Sequence, residues 1–467
     1  MRDLSEGDVF KLLVSFSIPM VLGNLFQSLY SIIDGIFVGR ILGHEALAAV
    51  SISTPLVFFL MALLIGLGMA AIILVGQSYG AKNYDLLSRI IVNSFFINVA
   101  ISLLLTMLII FLGRELLALI NTPENLMKDA YIFLAWYSTG FIFLVINNWL
   151  MGILRGLGDS RTPLYLTIIS VILNIIFIPF LIKGIGPIPP LGVIGSALAT
   201  VFANMITTIL GYYYLVRKNP FLNISRWKWT FDTGIIKKIF YIGIPASLQM
   251  LIVSFSGIIL MGLVNLFGNE VIAAYGIGLR IDNFSILPSL SIGMAVSTMV
   301  AQSIGAGKRR RVHEITASAA RLTVMIGAVI IILCTFFPRQ ISYLFTEDGS
   351  VVGCAVIYLR IMCWAYLDLS LFFILQSTVR GAGSMMVPLF LSIISMSVRI
   401  GLAYILGRHT PLREIGVWIG ILISTLVGLV QIYAYYKKGN WYSERIVKAP
   451  LTPASNGPTP AQPGTIL

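Results

Sequence analysis

The chain repeats itself at a spacing of 225 residues. Arg155-Gly156-Leu157-Gly158 returns as Arg380-Gly381-Ala382-Gly383, Gly68-Met69-Ala70 as Gly293-Met294-Ala295, and Gly80-Ala81 as Gly305-Ala306. Glu45 and Glu270, Gln77 and Gln302, Pro163 and Pro388, and Gly195 and Gly420 keep the same offset. Self-similarity this regular marks a tandem duplication, so the chain must fold as two copies of one architecture. The duplicated material is strongly apolar: 58% of the 467 residues are hydrophobic, 11% are charged, and the mean hydropathy is +0.93. Such a composition lies far outside the soluble globular range. A duplicated apolar chain is the layout of a secondary transporter, whose halves move against each other about a shared site.

Apolar runs of about 20 residues, long enough for a hydrocarbon core of roughly 30 Å, recur along the whole length. They predict twelve spans, centred near Leu25, Leu60, Val99, Phe143, Leu173, Asn204, Ile252, Ile286, Ile326, Phe372, Ile394 and Leu426. The expected fold is an all-α integral membrane protein of twelve transmembrane helices in two six-helix bundles. Six spans per repeat give both halves the same orientation, so their pseudo-twofold axis runs along the membrane normal. The expected organisation is an N-terminal bundle over 1–216, a cytoplasmic linker over 217–238, a C-terminal bundle over 239–440 and a disordered tail over 441–467. The tail is rich in Pro, Thr, Ala and Gly without apolar periodicity.

A formal charge of +13 raises the question of nucleic acid, which the distribution of the basic residues answers. Lys82, Arg89, Arg155, Arg161, Lys308 to Arg311, Arg380, and the run Arg217, Lys218, Arg226, Lys228, Lys237 and Lys238 fall in alternate loops on one side, together with the basic residues of both termini. The positive-inside rule reads that side as cytoplasmic. Lys308 to Arg311 is accordingly a topology anchor and no nucleic-acid partner is expected. Trp227 and Trp229 in the linker suit the membrane interface. The first apolar run is too long for a cleavable signal and is retained as a span. Cys334, Cys354 and Cys363 form neither a disulfide framework nor a metal motif. With no phosphate loop and all three histidines, His44, His313 and His409, in connections, no enzymatic constellation and no cofactor are expected.

Ionisable groups inside a span cost a few kcal/mol or more each, so they are functional candidates by default. Asp34 lies toward the outer end of the first span and Asp368 midway through the tenth. Neither is duplicated: Ile259 stands at the repeat position of Asp34 and Phe143 at that of Asp368. Features shared by both halves serve architecture, whereas these acids serve one half each, which points to ion coupling. The plain alternatives are a pairing of Asp34 with Arg40 at the outer interface and a structural hydrogen-bonding role for Asp368. Gln27, Tyr30 and Asp34, spaced i, i+3, i+7, share one helical face. Arg399 stands at the repeat position of Asn174. It is expected to pair with Asp368, contact an anionic group, or snorkel to an interface. Arg280 and Asp282, near the entrance of the eighth span, are expected to pair locally or face water.

Ser17-Ile18-Pro19, then Gln27, Tyr30 and Asp34-Gly35-Ile36-Phe37-Val38-Gly39-Arg40, the stretch Ala46-Leu47-Ala48-Ala49-Val50, Gly76-Gln77 before Gly80-Ala81, and the doubled Arg-Gly-x-Gly together resemble the multidrug and toxic compound extrusion (MATE) family over roughly residues 10 to 440. The resemblance implies two bundles around a V-shaped cavity and efflux of organic, often cationic, compounds driven by proton or sodium entry. It also implies that Asn148 and Asn174 join Asp34 in an N-terminal cation site, with sodium possible at Asp34 and Asn174. Family members with a second acid in that half carry it one turn after the equivalent of Asn174, where this chain has Ile178. The glutamate that some sodium-coupled relatives place in the seventh span falls near Val253 here.

The expected substrate cavity takes Gln27, Tyr30, Tyr137, Met250, Phe372 and Arg399, since aromatic and methionine side chains make deformable walls for flat hydrophobic cations. The reading is a monomeric antiporter of the cytoplasmic membrane with both termini inside, in contact with lipids and small organic compounds. The alternative is a lipid or polysaccharide-precursor flippase of related fold.

Overall fold

The structure, a computed structural model, describes residues 3–184, 189–218 and 230–442. Among the described residues all regular structure is helical. The first half comprises α1 (Val9–Leu42), α2 (His44–Gly80), α3 (Tyr84–Leu119), α4 (Glu124–Thr139), α5 (Phe141–Gly156), α6 (Arg161–Lys183) and α7 (Val193–Lys218). The second comprises α8 (Thr233–Val264), α9 (Asn269–Gly305), α10 (Arg309–Phe336), the short α11 (Pro338–Tyr343), α12 (Gly349–Gly381), α13 (Met386–Arg408) and α14 (Glu414–Lys438). Eleven of these helices are long and apolar enough to cross a membrane, and α4 with α5 makes a twelfth as a pair bent by 50°. Every expected span centre falls inside one of them. The break in the fourth span sits at Gly140, so close to α7 that a Cβ there would come within 2.3 Å of Val201.

Helix starts follow local chemistry. Asp8, Asn83, Asp232 and Asp348 each turn a side-chain oxygen onto the first amides of α1, α3, α8 and α12, satisfying donors that a helix start otherwise leaves bare. The Asp232 cap starts α8 at Thr233, within the segment expected to be connecting chain. Trp227, Trp229 and residues 219–229 in general lie outside the described residues, as do 443–467 of the expected tail. Trp441, at the start of that tail, is instead fully buried. Its indole N–H bonds the Tyr436 carbonyl at 2.9 Å and its ring stacks on Tyr436, so aromatic packing holds it where composition alone suggested none.

The two halves grip each other reciprocally. The start of α1 packs Leu12, Leu13, Phe16 and Met20 into a core with α9, α10 and α12 of the second half. The start of α8 packs Ile235, Ile239, Ile242 and Ala246 into a core with α2, α3 and α5 of the first. At the end that carries the basic loops, α2 and α9 touch backbone to backbone: a Cβ on Gly80 would stand 2.0 Å from the Gln302 carbonyl oxygen, and one on Gly305 would stand 2.0 Å from that of Gln77. Only glycine permits that approach. Gln77 donates to the carbonyls of Gly381 and Ala382 at 3.1 and 3.0 Å, and Gln302 donates to the carbonyl of Gly156 at 2.9 Å. The repeated Gly-Gln and Arg-Gly-x-Gly motifs are thus the two sides of one seam.

Residues 4 to 7, ahead of α1, cross to the second half at this seam. Leu4, fully buried, gives its amide to Gln302 Oε1 at 2.9 Å. Arg311 donates to the carbonyls of Leu4, Glu6 and Gly7, and Lys308 reaches the Ser5 carbonyl and the Glu6 carboxylate. Deeper contacts between the halves, Asn24 with Ser291 and Ser247 with the Leu63 carbonyl, carry the join to about mid-helix. Toward the other end these helices expose large apolar side chains, among them Ile32, Ile36, Phe58, Phe59, Phe255, Ile258 and Phe284.

Candidate functional site

In the first half a polar chain runs between α1, α6 and α7. The Tyr30 hydroxyl and Thr200 Oγ1 are 2.8 Å apart, and Asn174 Nδ2 donates to the same Thr200 oxygen at 3.3 Å. Asp34, one turn beyond Tyr30 on α1, lies in the electrostatic range of Tyr30 and of Tyr137 from α4. Tyr137 is held by stacking on Phe133 and by an edge contact with Phe141. Asp34 Oδ1 and Asn174 Oδ1 are buried with no hydrogen-bond partner among the described residues, as is Asn147 Oδ1 on α5. All three are acceptors, since an ionised carboxylate and an amide carbonyl accept and do not donate. A bare buried acceptor costs about 1–3 kcal/mol, more when charged, so a donor or a cation placed at any of these oxygens would be stabilising.

Asn148, expected beside these residues, is exposed on α5 and returns its amide to the Leu144 carbonyl at 2.9 Å. Its neighbour Asn147 is the buried one, donating to Asn204 Oδ1 on α7 at 3.2 Å. Adjacent helical residues point about 100° apart, so the choice between them decides which enters the bundle. Asp34 and Arg40 form no ion pair among the described residues. Gln27 is exposed on the same face as Tyr30.

In the second half the acid inside the bundle is Asp282, on α9. Tyr358 and Tyr366 of α12 donate their hydroxyls to its two oxygens at 2.7 and 2.5 Å. This corrects the expectation that Asp282 pairs locally or faces water: α12 is close enough to cover it. Arg280 is exposed, over the Phe345 ring at 5.9 Å. Arg399 gives Nε to Ser424 Oγ at 3.2 Å and lies in the electrostatic range of Asp282, Tyr275 and Tyr358. It makes no ion pair with Asp368. That acid is on the far side of α12 from Tyr366, about 200° around at 100° per residue. There it shares a face with Trp364, which is 55% exposed, and makes no hydrogen bond among the described residues. Met250 is half-buried on α8, whereas Phe372 is packed in the core with α9 and α14.

Sequence reading did not single out Thr200, Asn147, Asn204, Tyr358, Tyr366 or Ser424 as neighbours of these groups, and it expected Asp282 outside the bundle. Thr200 left a signal, since Thr425 repeats it at the common offset. Among the described residues no three His, Cys, Asp or Glu side chains gather as a metal site.

The MatE family model matches residues 19–180 and again 245–405, once per half. The probable multidrug resistance protein YoeA of Bacillus subtilis (strain 168) is 34% identical over 439 residues, covering 93% of this chain and 94% of that protein. The crystal structure of a MATE protein in the straight conformation superimposes with a TM-score of 0.87 at 26% identity, over 95% of this chain and 99% of that one. An outward-facing conformation of a multidrug resistance MATE family transporter of the MOP superfamily gives 0.86 at 26% identity, over 95% and 98%.

Proposed function

The chain belongs to the MatE family, and from that premise we propose that it is a secondary antiporter, exporting small organic, often cationic, compounds in exchange for a proton or sodium ion held at Asp34. It is a multi-pass membrane protein. The name of its Bacillus relative, a probable multidrug resistance protein, supports the substrate class.

The observation that carries this reading is the pair of bare oxygens on Asp34 and Asn174. A proton on Asp34 would turn one acceptor into a donor. A sodium ion would take the carboxylate and the amide carbonyl as oxygen ligands, the donor type hard cations prefer. Thr200 and Tyr30 hold the surrounding geometry whichever ion arrives. Asp368, accessible beside Trp364, suits the positive group of a substrate, with the indole face adding a cation–π surface.

Reading the basic end as cytoplasmic puts the Gly80/Gly305 seam on the inside, so the halves are shut toward the cytoplasm and parted toward the exterior. An ion arriving from outside binds at Asp34 and favours release of substrate. Return to the inward-facing arrangement requires the seam to open, after which ion and substrate exchange on the cytoplasmic side. The residue 4 to 7 strap lies on that side.

Efflux of a fluorescent organic cation from proteoliposomes, under proton and sodium gradients imposed separately, tests the reading. One gradient should accelerate efflux. Flux indifferent to both would point to a channel, and flux of lipid in place of the cation to a flippase.

A further inference from the structure

Leu4 meets the seam at a residue that closes it. Its amide donates to Gln302 Oε1 at 2.9 Å, while Gln302 Nε2 donates across to the Gly156 carbonyl of the first half at 2.9 Å. One carboxamide therefore holds the strap with its oxygen and the opposite half with its nitrogen. A carboxamide has one accepting and one donating end, and half a turn about its last bond exchanges them. In the turned arrangement Gln302 would set its oxygen against the Gly156 carbonyl and its N–H against the Leu4 amide, two repulsive contacts in place of two bonds. Leu4 and Gly156 thus each hold the side chain in the orientation that the other needs.

The strap is firmly seated on the second half. Arg311 donates to the Leu4 carbonyl at 3.0 and 3.3 Å and to the Glu6 and Gly7 carbonyls at 2.9 Å each. Lys308 Nζ reaches the Ser5 carbonyl at 3.0 Å. The Leu4 side chain is fully buried, in the core that holds Val300, Ile304, Val312 and Ile315. The segment ahead of α8 makes a mirrored crossing onto α3 of the first half: Asp232 gives its amide to Asn93 Oδ1 at 3.0 Å, Asn93 Nδ2 bonds the Thr230 carbonyl at 3.1 Å, and Arg89 pairs with Asp232 at 3.1 Å. Both crossings tie an entry segment to the opposite half. At the strap ahead of α1, one of the anchors is itself the clasp.

We infer that this strap is a conformational effector built into the chain: docking of Leu4 and closure of the seam at the basic end are coupled through the Gln302 carboxamide. Such coupling is reciprocal. Undocking the strap loosens the seam, and opening the seam withdraws Gly156, frees Gln302 to turn and loosens the strap. The expected coupling is about 2- to 10-fold in the ratio of open to closed seam, the weight of one net hydrogen bond. In the cycle proposed above the seam opens to reach the inward-facing arrangement, so a docked strap biases the protein toward the outward-facing one. Nothing in this coupling depends on the ion or the substrate, so a failure of the Asp34 reading leaves it in place.

The test uses the full chain in proteoliposomes, spin-labelled at Tyr84 and Arg310, both exposed at the basic end. Leu4→Pro deletes the amide hydrogen, and Arg311→Ala deletes the clamp on the strap carbonyls. Each should raise the longer-distance population about 2- to 10-fold. In a Gln302→Ala background the same substitutions should add nothing further, because the residue that couples strap to seam is gone. In the reverse direction, Gln77→Ala acts on the other arm of the clasp and should speed hydrogen exchange at the Leu4 amide by a similar factor. Native distances in either folded strap variant, an equal further shift in the Gln302→Ala background, or exchange at Leu4 unmoved by Gln77→Ala overturns the inference. Arg311→Ala carries the forward arm if Leu4→Pro does not fold, and the exchange arm leaves the strap sequence native.

Discussion

Gln77 and Gln302 are the same residue at the same place in two copies of one motif, and each reaches across to the other half. Gln77 donates to the Gly381 carbonyl and Gln302 to the Gly156 carbonyl, in both cases the glycine that follows the arginine of Arg-Gly-x-Gly. A duplication thereby becomes a two-part clasp. Because the acceptors are backbone carbonyls near the ends of α5 and α12, the clasp forms only when both helix ends meet α2 and α9 in register.

Replacing either glutamine by alanine leaves buried carbonyls without a donor, at about 1–3 kcal/mol each. Gln77→Ala and Gln302→Ala should each weaken the seam by roughly tenfold or more in population, and the pair together should depart from additivity because they share one interface. Spin labels at Tyr84 and Arg310, both exposed at the basic end, should report a longer-distance population growing in each variant. An unchanged distance distribution would remove the clasp from the account.

Gly80 and Gly305 set how closely α2 and α9 approach. Gly305→Ala puts a methyl against the Gln77 carbonyl, where 2.0 Å is available, and the colliding atoms are backbone and cannot swing aside. Overpacking of this kind costs about 1–3 kcal/mol. The variant should favour the arrangement open at the basic end. Trapping a disulfide across the seam should then be slower than in the native chain with the same engineered cysteines.

Asp368 and Asp34 are predicted to separate in function. Asp368→Asn should leave the response to an ion gradient in place while weakening apparent affinity for an organic cation about 1.4- to 5-fold, the range expected for losing an accessible charge pair worth about 0.2–1 kcal/mol. A neutral substrate should be affected less. Loss of ion dependence in this variant would make Asp368 a coupling residue after all.

Asn174→Ala removes one of the bare acceptors. If sodium is the coupling ion, a ligand is lost and half-saturation should rise by roughly tenfold or more, since a hydrogen bond or ligand to a charged group is worth about 1.5–3 kcal/mol. If a proton is the ion, Asp34 alone carries it and the change in ion dependence should be small. The variant therefore also distinguishes the two ions.

The sequence made the architecture legible because membrane spans announce themselves by length and the duplication checks each one: α6 and α13 end at corresponding residues. Tyr30 and Asp34 could be singled out as polar groups sharing one face of an apolar helix, and Asn174 through the family resemblance. Three kinds of information were not. A choice between neighbours such as Asn147 and Asn148 turns on helix rotation, which depends on packing against α7 and not on local pattern. The environment of Asp282 depends on tyrosines 76 and 84 residues away. The docking of Leu4 on Gln302 joins residues 298 apart, and nothing in the short, mostly polar stretch ahead of α1 hints at a buried strap.

The central claim is that Asp34 binds the coupling ion, and the most direct measurement compares native protein with Asp34→Asn in the same proteoliposome efflux assay, adding exchange of labelled substrate without any gradient. The account predicts that Asp34→Asn keeps substrate exchange but loses acceleration by the proton or sodium gradient that drives the native protein. Gradient-driven efflux at the native rate in Asp34→Asn would contradict it.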